Sequence, residues 1–151
     1  MPENVKAVID SLLREAAEDG LVFHVRGTCM AGYIPDNSRI TVRPIRLPFP
    51  GDVVVVRSAG RRVVHRVIGL YRRGGIGKVL TQADHGHRPD AAVALSSVLG
   101  KVIALNGERI TVSFKTRVGS AIRFVRFVFG AGFLLKRMRE NNPERSADEK
   151  I

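Results

Sequence analysis

Apolar residues recur every third or fourth position over residues 3–19, where Val5, Val8, Ile9, Leu12, Leu13 and Ala16 are separated by Glu, Asp, Lys and Arg. This spacing predicts one amphipathic helix, ended by Gly20. The period then shortens to two. LVFHVR (21–26) alternates, RITVRP (39–44) sets Ile40 and Val42 on one face, and DVVVVR (52–57) is a valine run suited to a strand covered on both sides. Between the last two lies a proline-punctuated loop, RLPFPGD. Ser58-Ala59-Gly60 leads tightly into RRVVHRVIGLY, and Gly74, Gly75 and Gly77 mark the next reversal before KVLTQ. KVIAL and ERITVSF flank Asn106-Gly107, a dipeptide suited to a two-residue hairpin turn because both positions accept positive φ. Neighbouring strands are therefore expected to pair as antiparallel hairpins.

A second helix is expected over residues 119–138, GSAIRFVRFVFGAGFLLKRM. At helical spacing Gly119, Arg123, Arg126, Gly130 and Arg137 share a narrow stripe, and Ile122, Phe124, Val125, Phe127, Val128, Phe129, Phe133, Leu134 and Leu135 fill the rest. The apolar arc is too wide for free solvent, so the helix is expected on an anionic membrane surface or packed against the β-body or a second subunit. The polar, proline-broken tail after Glu140 is expected to be disordered. The expected organisation is a helix over 1–20, a β domain over 21–116, a helix over 117–139 and a tail over 140–151.

At 151 residues the chain suits a single domain, and 44% apolar with 26% charged residues is an ordinary globular balance. Its 25 Lys+Arg against 14 Asp+Glu leave a formal charge of +11, which would attract a nucleic acid or an acidic membrane. No helix-turn-helix, zinc-finger or aromatic RNA-binding motif accompanies that charge, so nucleic acid is not the expected partner. One cysteine cannot form an internal disulfide. The first residues lack the basic flank and apolar run of a secretory signal, and no run of about 20 apolar residues could span a bilayer. The expected location is the cytoplasm, with a peripheral position on the inner face of the membrane if the second helix binds lipid.

Three stretches carry the candidate chemistry. VRGTCMAGYIPDNSRITV (25–42) places Cys29 in a glycine-led turn, VVHRVIG (63–69) puts His65 in a β run, and TQADHGHRPD (81–90) offers Asp84 and Asp90 in a polar loop. Singly, each has an ordinary reading: cysteine as core filler, His65 as a satisfied strand residue, the aspartates as turn formers. Together they supply the thiol, imidazole and carboxylate of a nucleophilic triad. His85-Gly86-His87 lacks the ligand spacing of common zinc motifs, and no metal or other cofactor is expected.

The order of these signals, over residues 21 to 105, resembles the type I signal peptidase and LexA-like peptidase superfamily. Cys29-Met30 through Pro35 and Val42 is similar to its nucleophile box, Pro50-Gly51-Asp52 with the following valines to its next box, and Gly100-Lys101-Val102 to its closing strand. Val64-His65-Arg66-Val67-Ile68 matches the histidine version found in archaeal and endoplasmic-reticulum enzymes, and Ala83-Asp84 through Asp90 keeps both aspartates of the last box. Cysteine replaces the usual serine and glycine the proline after it, and the membrane-spanning helix that the family carries ahead of the box is not expected here.

The resemblance implies coiled antiparallel sheets and a groove that takes an extended peptide. It further implies an endopeptidase in which Cys29 attacks, His65 moves the proton and Asp90, or else Asp84, orients the imidazole. Gly27, Thr28 and Met30 are the candidates for substrate and oxyanion contacts. Two other functions fit the same motifs: a peptidase fold kept for binding or scaffolding, and a LexA-like domain that cuts its own chain, although the lysine of that mechanism is absent.

Overall fold

A computed structural model describes residues 20–140, with side chains described through Gly130. The helix expected over 3–19 and the tail after Glu140 lie outside the described residues. Among the described residues, eight strands form one curled antiparallel sheet: β1 (Leu21–His24), β2 (Arg39–Arg43), β3 (Val53–Ser58), β4 (Arg61–Arg73), β5 (Ile76–Gln82), β6 (Val93–Ala94), β7 (Val98–Leu105) and β8 (Glu108–Arg109). A helix, α1 (Phe114–Glu140), follows.

The strand order is β1-β2-β7-β3-β4-β5-β6, with β8 on β7. Hairpins join β3 to β4, β4 to β5 and β7 to β8, each through two residues with positive φ: Ala59 and Gly60, Gly74 and Gly75, Asn106 and Gly107. Such turns match the right-handed twist of the strands they connect. The valine run of β3 lies between β4 and β7 and is covered on both faces. Val53 and Val55 join Met30, Ile34, Ile40, Val42 and Val102 in one apolar cluster, while Val54 and Val56 join Val67 and Val79 in the other.

Two local departures from the expected pattern have clear causes. The strand expected through ERITVSF stops at Arg109, because Ser113 caps α1: its Oγ accepts the Thr116 N–H at 3.2 Å. Helix formation thus takes Phe114 out of the strand, and α1 begins ahead of the expected boundary. The second departure is the short β6, followed by a 3₁₀ turn at Leu95–Ser97, in a stretch without strong alternation.

One face of α1 packs on β4. Phe124 lies over Gly69, where any Cβ would overlap its ring, and Ser120 is buried. Arg117 reaches the Pro50 carbonyl at 3.1 Å and the buried Asp52 carboxylate at 3.1 Å. The same carboxylate meets Lys101 of β7 at 2.9 Å.

Candidate functional site

Cys29 lies in a loop that leaves β1 and returns as β2. Val25 N–H donates to the Ser38 carbonyl at the neck of this loop, and the Asp36 carboxylate accepts from Gly27 N–H at 2.7 Å. Met30 and Ile34 anchor the loop in the first apolar cluster, at 1% and 0% exposure. Met30 is therefore a core residue whose sulfur receives the Asp84 N–H at 3.4 Å, and the Gly27 N–H is already engaged. Cys29 between them is only partly buried. Among the described residues, no hydrogen bond occupies its backbone N–H.

The imidazole and the two carboxylates sort into separate pairs. His65 Nδ1 lies 2.6 Å from Asp90 Oδ2, which also accepts from Thr81 Oγ1 at 2.8 Å. The loop back to Asp90 is fixed at this point, since Asp90 N–H donates to the Thr81 carbonyl at 2.8 Å. Asp84 instead holds Arg66 through two bonds, Nε to Oδ1 at 2.7 Å and Nη2 to Oδ2 at 2.6 Å. Arg66, 5% exposed, also donates to the Gly51 carbonyl at 2.8 Å and lies over the Tyr33 ring at 4.6 Å. Asp84 thereby ties the polar loop to β4, the Asp52 segment and the Cys29 loop at once.

Sequence reasoning assigned no role to Arg66 or Thr81. The available signal was Arg66 itself, a lone charge inside a valine-rich strand, which requires a buried counter-ion.

The strand register determines how the thiol approaches. Val64 faces Val55 and packs in the first cluster with Cys29, whereas His65 is opposite Val54, a member of the second. The thiol therefore meets β4 at its backbone: Cys29 Sγ is 4.0 Å from the Val64 carbonyl oxygen. Among the described residues, no hydrogen bond joins it to His65. The polar loop also touches the Cys29 loop, with His85 N–H donating to the Cys29 carbonyl at 3.3 Å and the His85 ring at 3.3 Å from the Thr28 carbonyl. His85 thus braces the backbone, and among the described residues no three metal-ligating side chains converge.

β1 forms one edge of the sheet, and β4 pairs with β5 only from Arg66 onward, so residues 61–65 of β4 have a bare edge. Between these two edges lies a cavity of about 260 Å³, lined by Phe23, Val25, Arg62, Val63, Val64 and Cys29 among others. Arg62 spans it, its guanidinium 5.8 Å from the centre of the Phe23 ring.

Burial is the largest single influence on the Asp90 carboxyl and pushes its pKa up. The hydrogen bonds from His65 and Thr81 and the attraction of the His65 charge outweigh it, leaving the pKa below the ordinary 3.8. A carboxyl lowered in this way stabilises the fold above its unfolded pKa and loses that contribution as pH falls through the folded value. Thermal melts are expected to show a loss of stability as pH drops below about 4, and Asp90→Asn should flatten that part of the profile.

No family model matches the chain, and no curated protein matches it.

Proposed function

We propose that this chain is a signal-peptidase-like endopeptidase that binds an extended peptide in the seam between β1 and β4 and cleaves it with Cys29, His65 and Asp90. The observation that carries this reading is the conjunction at one bare strand edge: a partly exposed thiol at Val64 and, on the next residue, a histidine held by a carboxylate at 2.6 Å. An added strand would find unpaired backbone groups on both sides of the seam, the usual basis of β-augmentation.

With Nδ1–H donating to Asp90, the neutral ring keeps its lone pair on Nε2. In the reaction, Cys29 leaves the Val64 carbonyl and gives its proton to that nitrogen as sulfur bonds to the scissile carbonyl carbon. The peptide C–N bond breaks as the ring returns the proton to the departing amine. Water then cleaves the thioester: the ring takes its proton, the acyl group leaves as the acid, and the thiol is restored. The free Cys29 N–H is the natural donor to the oxyanion.

A second reading, peptide binding without turnover, is favoured by the thiol's contact with Val64 rather than with the ring. Incubation with a peptide library and sequencing of the products separates the two. Defined cleavage products that disappear in Cys29→Ala are expected. Retained library members without cleavage, equally bound by Cys29→Ala, would assign the seam to binding alone.

A further inference from the structure

α1 covers the β-body with one face and leaves the opposite one bare. Phe114, Val118, Ile122, Val125 and Phe129 are 80%, 40%, 52%, 49% and 74% exposed. Their spacings of four and three residues place them in a single stripe, on the side away from Arg117, Ser120 and Phe124, which face the sheet. The loop between β2 and β3 extends this patch: Leu47 and Phe49 are exposed, and Phe49 shares an apolar recess with Val118 and Ala121. Single exposed apolar residues are ordinary, but a continuous row over two segments marks an interaction surface.

The charge around the stripe is of one sign. Residues 109–139 contain no Asp or Glu, and Lys115 and Arg126 border the stripe. Farther round the helix, Arg123 joins Arg126 in a cleft with Gln82, His87 and Pro89. Among the described residues, neither arginine has an ion pair or hydrogen bond. The cleft's own carboxylate, Asp84, is already held by Arg66. A second copy of the same face would bring these cations against each other, with no acid between Arg109 and Arg139 to offset them. An anionic bilayer presents the opposite charge.

We propose that this face of α1, together with Leu47 and Phe49, docks on an anionic phospholipid surface. Ile122, Val125, Phe129 and Phe49 enter the boundary of the acyl chains, while Lys115, Arg123 and Arg126 lie at the level of the phosphate groups. No helix among the described residues is long and apolar enough to cross a membrane, so α1 lies along the interface.

The test uses the full chain with phosphatidylcholine vesicles, with or without phosphatidylglycerol, and does not depend on cleavage. Co-sedimentation is expected with the anionic vesicles in low salt and should fall as salt rises. Arg123→Gln with Arg126→Gln should weaken it about 25-fold, taking about fivefold for each cation. Ile122→Ser with Phe129→Ser, both at exposed positions, should weaken it about 100-fold or more while the circular dichroism spectrum and thermal melt stay unchanged.

The chain has no tryptophan, so Phe129→Trp supplies a second readout that keeps an aromatic on this face. Its emission should shift to the blue on anionic vesicles. An unshifted emission or failure of the wild type to co-sediment overturns the proposal, as does full binding by the Ile122 and Phe129 double variant. A dimer that forms without vesicle binding and is abolished by that variant overturns it as well, assigning the face to a second copy.

Discussion

In the proposed peptidase, Asp90→Asn is expected to slow cleavage about 10⁴-fold with the fold intact, the size of effect seen when a triad carboxylate becomes an amide. Asp90 Oδ2 accepts from both His65 Nδ1 and Thr81 Oγ1. An asparagine can turn its NH₂ toward the ring, which then protonates Nε2 and loses the base that the thiol needs. The Asp90 side chain is 34% exposed, so water can solvate the new amide and the stability cost stays small.

Asp84→Asn should act in the opposite order. Arg66 is buried and fixed by two charge-assisted bonds to Asp84, so the amide leaves a guanidinium short of a counter-charge. The expected cost is about 3–5 kcal/mol in stability, with cleavage falling only as the loop loosens. Urea unfolding and initial cleavage rates, measured on both variants, check the pair. Loss of activity confined to a well-folded Asp84→Asn would exchange the two roles.

The second large effect concerns Asp52. Its carboxylate is 2% exposed, whereas its partners Lys101 and Arg117 are 28% and 37% exposed. Both cations meet Oδ1 at ion-pair distance without an aligned hydrogen bond, and Oδ2 accepts from the Phe49 N–H at 3.0 Å. The cost of breaking the cluster is therefore asymmetric. Asp52→Asn leaves cations that can reach water and is expected to cost about 1–3 kcal/mol. Lys101→Met with Arg117→Met strands a buried carboxylate and is expected to cost about 3–5 kcal/mol. The double variant also removes the arginine that ties α1 to Pro50. The urea midpoint should move accordingly, and a larger loss for Asp52→Asn than for the double variant would refute this ordering.

Strand positions were legible where an alternating run or a continuous valine run was bounded by turn residues. Ile40 and Val42, the run from Val53 to Val56, and the Asn106-Gly107 turn illustrate this, because local chemistry determines each of them. The strand order was not legible, since nothing local to residues 98–105 says that they lie between β2 and β3. The 110–113 segment reads as strand by its side chains, yet the cap at Ser113 and the docking of Arg117 and Phe124 decide otherwise. At the candidate site, the types Cys, His and Asp could be read from the chain, but not their pairing. Which aspartate meets His65 depends on the β4–β5 register and on Thr81. The side of β4 on which Cys29 lies depends on which valines it packs against.

The position of β7 has a consequence for how the molecule is made. It is late in the chain, yet it pairs with β2 and β3, both completed about 40 or more residues earlier. During synthesis the β1–β2 ladder and the β3–β4–β5 meander can each form, but they remain separate until residues 98–105 emerge. Until then β2 and β3 each present an unpaired edge, one of them a run of four valines. Contacts of such long range place the fold among slow, millisecond-to-second folders. The interval before β7 arrives is when this chain is most open to pairing with another copy of itself.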